Sequence, residues 1–300
     1  MAEFDTDVED RKCAPSKKFE QGSCFTYESL VRMCTAYNNK GRDPKPIQIQ
    51  GRTKQQLVTD LTNKLKKVCT NQICWLSQDF IREIRDAEIH ENTFRPKITQ
   101  KKTAWLSTTN ITEVMEQYQS LYPKYKYLGT VPVDFEKINA NNIGRISFDS
   151  LVRQGKTQIG MVINLDRHDQ SGSHWVSLFA DLEKCKVYFF DSFAERPPKE
   201  VRDFVAKIGN WCFNKVSNIP NPNPEDSFMK PTKKNKVEQH PKLDIQYNKI
   251  QHQFKNSECG VYSANFLIRL AKGETFKSIT ENITRDDEMN QCRKVYFRFK

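Results

Sequence analysis

The chain of 300 residues is long enough for one large domain or two smaller ones with a buried core. Its hydrophobic share of 37% excludes a disordered polar chain, and no apolar run is long enough to predict a membrane span. The acidic residues 1–10 lack the basic and apolar segments of a secretory signal, so we expect a soluble protein that is not exported. The net charge of +11 favours contact with polyanions such as DNA, although a solvated basic surface explains it equally well.

The nine cysteines are scattered through the chain without the spacing of a disulfide framework. Together with the missing signal, this distribution predicts reduced thiols in a cytosol-like compartment. Cys69 and Cys74 lie close together, but no second pair of Cys or His residues accompanies them. The spacing therefore favours ordinary thiols over a zinc site, and we expect no metal.

The first hundred residues predict a helical segment. Two amphipathic helices are expected over residues 25–37 and 54–68, with a stretch rich in Gly and Pro between them. The second helix carries lysines on its outer face, and the arrangement resembles the small SAP-like modules that bind DNA. A helical packing domain without a nucleic-acid role is the alternative. A basic linker over residues 97–103 then closes a predicted arm of residues 1–104.

The remaining chain, residues 105–300, predicts a domain of mixed helices and strands. Asn110 followed by Glu113 has the spacing of a capping box and indicates the start of a helix. Prolines and lysines over residues 218–242 predict an exposed insertion. The other predicted elements, recognised by apolar periodicity, are strands over 159–165, 175–180, 187–190 and 245–253 and helices over 200–213 and 259–270, the last ending at Gly273. The second and third of these strands form a predicted hairpin.

Cys259 stands where a polar loop meets an apolar helix. The unpaired N–H groups and the positive dipole end of a helix N-terminus favour a thiolate, which makes Cys259 a candidate nucleophile. Gly260 allows another backbone to approach closely. Taken alone, Cys259 fits a buried core cysteine equally well.

His174 begins one strand of the predicted hairpin, and Asp191 ends the next strand. Because the two strands are adjacent, we expect Asp191 to accept the Nδ1 proton of His174, which would then act as the base. His168 is a rival base, but it lies in a charged loop with no strand to fix it. His252 is expected to be structural.

Gln253 precedes Cys259 by six residues. Its side-chain amide is a candidate to join the Cys259 backbone N–H in an oxyanion hole, although a glutamine at a strand end is often a surface residue. A thiolate, an imidazole, an acceptor that orients the imidazole and oxyanion donors are what acyl transfer by a thiol protease requires.

These residues resemble the SUMO-specific (Ulp/SENP-type) cysteine proteases and the adenovirus endopeptidase clan. In chain order the matching residues are His174-Trp175, Asp191, Gln253 and Cys259-Gly260. This order differs from that of papain, in which the cysteine comes first. The resemblance implies an α+β papain-like fold in the adenain/Ulp arrangement, in which helices flank a central mixed β-sheet.

The triplet that begins at Trp105 resembles the start of the family's catalytic domain, with Ser107 and Thr108 in place of Asn-Asp. In that family the corresponding tryptophan and the one after the catalytic histidine line a narrow tunnel for a Gly-Gly tail. The resemblance therefore implies that Trp105 and Trp175 clamp substrate glycines, next to Gly260 in the same site. Trp75 begins a second Trp-Leu-Ser triplet and is a rival for the first role.

The C-terminal residues 283–289, followed by Arg293 and Phe297-Arg298, resemble the end of the polyprotein-processing proteases of large DNA viruses, African swine fever virus type. This resemblance implies an endopeptidase that cleaves after Gly-Gly in viral structural polyproteins during virion maturation, in the host cytoplasm and the virion. Removal of SUMO or ubiquitin-like proteins is the alternative, and a nucleic-acid-binding virion protein is the second alternative. We expect the cleavage chemistry to require no cofactor. The basic charge makes DNA a candidate activator of the enzyme.

Overall fold

The computed structural model describes residues 11–41, 44–98, 103–217 and 243–299, which form two compact units. The first unit contains the described residues up to Ala104, together with Glu113–Leu121 and the residues from Asn290 onward. The second contains Trp105–Thr112 and Tyr122–Met289. The predicted insertion at 218–242 and the acidic residues 1–10 lie outside the described residues. Across the described part of the chain, no helix combines the length and apolar character needed to cross a bilayer.

The first unit begins with the two predicted helices and continues with three short ones. These are α1 (Tyr27–Asn39), α2 (Lys54–Leu65), α3 (Gln72–Trp75), α4 (Asp79–Arg82) and α5 (Ala87–His90). Helix α2 begins at Lys54 because Thr53 and Gln56 form a reciprocal capping box. It ends at Leu65, three residues before the predicted end. The unit has its own core, in which the ring of Trp75 is stacked on Phe25 with centroids 6.1 Å apart.

Disulfide bonds in the first unit correct the prediction of reduced thiols. Cys13 is bonded to Cys24, and Cys69 is bonded to Cys74. The fold places the Cα atoms of these pairs 5.3 and 5.4 Å apart, a distance that suits a disulfide and that sequence spacing does not reveal. The other five cysteines are thiols. No cluster of His, Cys, Asp and Glu among the described residues is arranged to hold a metal ion.

A five-stranded mixed sheet forms the centre of the second unit, in the order β1-β2-β3-β4-β5. Its strands are β1 (Tyr125–Pro132), β2 (Gln158–Asn164), β3 (Trp175–Asp181), β4 (Lys186–Phe190) and β5 (Asp244–Tyr247). The two outer pairs, β1-β2 and β4-β5, are parallel, whereas β2-β3 and β3-β4 are antiparallel. The predicted hairpin is therefore confirmed as β3-β4. Strand β1 was not predicted, and β5 is shorter than the expected strand.

The helices that follow α5 in the chain complete the fold. They are α6 (Thr108–Leu121), α7 (Phe148–Arg153), α8 (Lys199–Ser217), α9 (Cys259–Ala271), α10 (Phe276–Glu281) and α11 (Asp286–Tyr296), with a 3-10 helix at Ala140–Arg145. The predicted cap of α6 is wrong. Ser107, rather than Asn110, caps this helix, since the Ser107 hydroxyl accepts the N–H of Asn110 at 3.2 Å. In return, Asn110 Oδ1 accepts the N–H of Ser107 at 3.1 Å.

Both faces of the sheet are covered, and this fixes the β3-β4 hairpin from two sides. On one face, Phe204 of α8 belongs to the same apolar cluster as Leu178 and Phe189. On the other face, Phe266 of α9 is stacked on Phe190, with ring centroids 4.8 Å apart. Every residue of β3 is buried. The side chains at the ends of these two strands are therefore held by a rigid support.

Candidate active site

The hairpin brings His174 and Asp191 together. His174 directly precedes β3 and Asp191 directly follows β4, so the antiparallel pairing places both at one edge of the sheet. Nε2 of His174 lies 2.7 Å from Oδ1 of Asp191. The ring nitrogen in this bond is thus Nε2, and the expectation of Nδ1 is wrong. Cys259 also acts on this ring, because its side chain is among the groups that raise the pKa of His174.

The environment of His174 favours its charged form. Burial of the ring by itself lowers the pKa of an imidazole. The hydrogen bonds to Asp191 and Cys259, and the negative charges of these groups, outweigh burial and raise the pKa of His174 to about 9. The site therefore stabilises an imidazolium beside the Cys259 sulfur at neutral pH.

Asp191 is held by contacts that the sequence did not predict. Its backbone N–H donates to Oδ1 of Asn248 at 3.0 Å, and Nδ2 of Asn248 donates to the Asp191 carbonyl at 2.7 Å. The N–H of Phe193 donates to Asp191 Oδ1 at 2.8 Å. Both Asp191 and Asn248 are buried. Asn248 lies 57 residues further along the chain, and no local motif marks it.

Phe193 covers one face of the imidazole. Its ring is stacked on that of His174, with centroids 4.7 Å apart and an interplanar angle of 26°. The side chain remains 37% exposed, so it forms part of the surface beside His174. No motif in the sequence marks this residue.

Cys259 is the first residue of α9, as the sequence predicted, and it is buried. The N-terminal end of the helix, with its unpaired N–H groups, therefore adjoins the sulfur. The close packing around Gly260 explains why this position holds a glycine. A Cβ at this position would lie 3.1 Å from Ile111 Cδ1, 3.2 Å from Leu106 Cβ and 3.3 Å from Trp175 Cδ1. Internal packing is therefore sufficient by itself to favour glycine here.

Gln253 is fully buried, which excludes the alternative of a surface residue. Its Oε1 accepts the hydroxyl of Ser192 at 2.7 Å, and its Nε2 donates to the carbonyl of Lys255 at 2.5 Å. The Ser192 carbonyl also accepts the backbone N–H groups of His252 and Gln253 at 2.9 and 3.0 Å. The segment after Asp191 thus holds the Gln253 amide in one orientation.

The two candidate tryptophans differ in exposure. Trp105 is 48% exposed, whereas Trp175 is buried. Nε1 of Trp175 donates to the Leu106 carbonyl at 3.0 Å, and this bond ties the segment carrying Trp105 to the residue after His174. Trp75, the rival, is buried in the core of the first unit and is not available to a substrate.

The other two histidines considered for the site, His168 and His252, have separate environments. The sequence suggested that nothing fixes His168 in its loop, and the structure corrects this. Nδ1 of His168 lies 2.6 Å from Asp134 Oδ2, and the backbone N–H of His168 donates to Asp134 Oδ1. His252 is buried and contacts the Thr280 carbonyl through Nε2 at 3.2 Å. Burial lowers the pKa of His252, which suits a neutral structural residue.

A thiol at a helix N-terminus, an imidazole and an orienting carboxylate form the constellation of a cysteine protease. The Ulp1 protease family, C-terminal catalytic domain, matches residues 155–298. A mimivirus protein (Acanthamoeba polyphaga mimivirus) named as a thiol protease is 33% identical over 95% of this chain and 93% of the relative. The chain therefore belongs to the Ulp1 protease family and is a cysteine-type endopeptidase.

Two further likenesses are viral. A cysteine protease of African swine fever virus (strain Badajoz 1971 Vero-adapted) is 22% identical over 69% of this chain and 73% of the relative. The crystal structure of an African swine fever virus protease has a TM-score of 0.62 at 18% identity, covering 98% of this chain and 97% of that one. At this identity the likeness shows the fold alone, and it confirms the predicted adenain/Ulp arrangement.

Proposed function

We propose that this protein cleaves after Gly-Gly in viral structural polyproteins during virion maturation. The observation that supports the chemistry is the imidazole of His174, which lies 2.7 Å from Asp191 Oδ1 and whose pKa is raised by Asp191 and Cys259. Support for glycine specificity comes from Trp105, an exposed ring on a segment anchored to Trp175 through Leu106. A bulky ring over the scissile position excludes residues with side chains, and glycine has none.

The mechanism is acyl transfer through a thioester. The Cys259 thiolate attacks the carbonyl carbon of the second glycine, and negative charge develops on the carbonyl oxygen. The Gln253 amide and the Cys259 backbone N–H donate hydrogen bonds to this oxygen. The His174 imidazolium then gives its proton to the leaving amine as the C–N bond breaks. In the second half, neutral His174 removes a proton from water, which attacks the thioester and releases Cys259. Asp191 keeps the ring oriented throughout.

The first experiment compares wild type with Cys259→Ala on a panel of substrates. The panel contains Gly-Gly-Xaa peptides, matched Ala-Ala-Xaa peptides and folded SUMO and ubiquitin precursors with the same Gly-Gly tail. We expect wild type to cleave the short Gly-Gly peptides, with Ala-Ala peptides uncut and Cys259→Ala inactive. Gln253→Ala should lose about 10²- to 10³-fold in rate, the usual effect of one oxyanion donor. Full activity in Cys259→Ala would refute the mechanism.

Processing of SUMO or ubiquitin-like proteins is the second candidate. It is favoured by the family match and by African swine fever virus relatives that carry the name SUMO-1 cysteine protease. A de-modifying enzyme recognises the folded modifier as well as its tail. Cleavage of the folded precursors with no cleavage of short peptides would therefore replace viral polyproteins with modifiers as the substrate class.

DNA as an activator is a further part of the proposal, supported by the net charge of +11. Two lysines of α2 serve the fold itself, because Lys54 donates to the Ser23 carbonyl at 3.0 Å and Lys64 donates to a backbone carbonyl at 2.6 Å. Lys66 and Lys67 are exposed and remain available to phosphates. A loss of activity with salt that added DNA reverses would support activation. Indifference to DNA would remove it.

We place the working enzyme in the virion, after synthesis in the host cytoplasm. The two disulfides favour the particle, because reducing thiols of the cytosol oppose disulfide formation. Fractionation of infected cells and purified particles, with thiol alkylation before lysis, tests this placement. Enzyme that is absent from particles would contradict it.

A further inference from the structure

A buried carboxylate holds the loop that carries Gln253. Asp286 is the first residue of α11, and its side chain is buried. Its Oδ2 accepts the backbone N–H of Phe254 at 2.8 Å and that of Lys255 at 3.0 Å. These two residues directly follow Gln253. One carboxylate oxygen thus fixes the backbone on the C-terminal side of the glutamine.

Tyr262 connects the same loop to the helix of the nucleophile. It lies in α9, about one helical turn after Cys259. Its hydroxyl lies 3.0 Å from the His252 carbonyl, 2.8 Å from the Thr284 carbonyl and 3.4 Å from Asp286 Oδ1. Burial, and then the Asp286 charge, raise the pKa of Tyr262, so the hydroxyl remains a donor. The residues before and after Gln253 are therefore tied to Asp286 and Tyr262.

We infer that Asp286 is a positioning residue that sets the place of the Gln253 amide for oxyanion stabilisation. This inference rests on the proposed mechanism. Oxyanion donors act only when they lie about 2.7–3.1 Å from the developing charge, so a small shift of the loop weakens them. Hydrogen bonds from backbone N–H groups to a carboxylate are stronger than bonds to a neutral acceptor. Asp286 therefore restrains Gln253 without touching the reacting atoms.

The neighbouring carboxylate provides a matched control. Asp287 also reaches Lys255, but through the side chain, with Oδ1 2.6 Å from Lys255 Nζ. The Asp287 side chain is 87% exposed. A surface ion pair of this kind contributes little to order or stability. Removing the charge of Asp287 should leave the loop in place.

The test is a double-mutant cycle between Asp286→Asn and Gln253→Ala, with Asp287→Asn as the control. We expect Asp286→Asn to lower kcat about 10- to 100-fold with KM within about twofold, since it weakens rather than removes one donor. In the Gln253→Ala background, Asp286→Asn should cause no further loss, because the group through which it acts is gone. Asp287→Asn should match wild type.

A second readout separates positioning from general stability. Alkylation of Cys259 by iodoacetamide displaces iodide and forms no oxyanion, so Asp286→Asn should leave its rate unchanged. If Asp286→Asn does not fold, Tyr262→Phe takes the place of that variant in the same cycle, since it removes the hydroxyl and keeps the ring. Two results would overturn the inference and leave the protease mechanism standing. One is that Asp286→Asn and Gln253→Ala lower kcat independently, so that their effects multiply. The other is that Asp286→Asn slows alkylation of Cys259 as much as it lowers kcat. Full activity in Gln253→Ala would instead remove the oxyanion role of Gln253, and the inference with it.

Discussion

The pair of His174 and Asp191 makes a quantitative prediction about pH. The folded-state pKa of His174 is about 9, compared with an ordinary value of 6.5. Substituting Asp191→Asn keeps the shape and a hydrogen-bond acceptor but removes the negative charge, so the pKa of His174 should fall towards 6.5. At pH 8, a histidine with a pKa of about 9 is about 90% protonated, whereas one with a pKa of about 6.5 is about 3% protonated.

Asp191→Asn should therefore lower the protonated fraction of His174, and with it kcat/KM, about 30-fold at pH 8 and only slightly at about pH 6. The assay is kcat/KM for a Gly-Gly peptide measured from about pH 6 to about pH 10, since its upper limb reports the acid of the free enzyme. We expect this limb near pH 9 in wild type and well below it in Asp191→Asn. Asp134→Asn, which alters the separate pair with His168, should leave the profile unchanged.

The same shift predicts how stability depends on pH. Because folding raises the pKa of His174, its stabilisation is fully present below about pH 6.5 and is lost as pH rises through about 9. The shift corresponds to about 3 kcal/mol at most, shared between the contacts with Asp191 and Cys259. Asp191→Asn should therefore lower the free energy of unfolding more at pH 6 than at pH 9.5, and the difference between the two losses should be about 3 kcal/mol at most. An upper limb that stays near pH 9 in Asp191→Asn would refute the assignment of the shift to Asp191.

Three further predictions concern the structure around the site. Gly260→Ala should cost about 1–3 kcal/mol of unfolding free energy by overpacking, which a urea titration measures; wild-type stability would contradict the close contacts. Asn248→Ala should cost about 1–3 kcal/mol and lower kcat, because it leaves the buried N–H of Asp191 unpaired, while the Asp191 carbonyl keeps its bond from the N–H of Ala194; the same urea titration and the peptide assay measure both effects, and wild-type stability with wild-type kcat would contradict this role. In denaturant without reductant, five thiols should react with a thiol reagent, and all nine after reduction; nine in both conditions would contradict the disulfides.

The sequence by itself determined the parts of the site that depend on local pattern. Apolar runs joined by a short charged turn indicated the β3-β4 hairpin, and adjacency within a hairpin places His174 beside Asp191 without any further information. The change from a polar loop to an apolar periodic segment indicated that α9 begins at Cys259. Hydrophobic periodicity and hairpin adjacency are short-range features, so they can be deduced from residues close together in the chain.

The tertiary structure decided everything that joins distant residues. The hairpin brings His174 beside Asp191, but it does not decide which ring nitrogen faces the carboxylate, and in the structure this nitrogen is Nε2. Asn248 reaches Asp191 across 57 residues, and Asp286 reaches Phe254 across 32. The disulfides likewise depend on where packing places the cysteines. Such contacts arise because burial requires each polar group to find a partner wherever the packed chain brings one, and sequence spacing does not encode that choice.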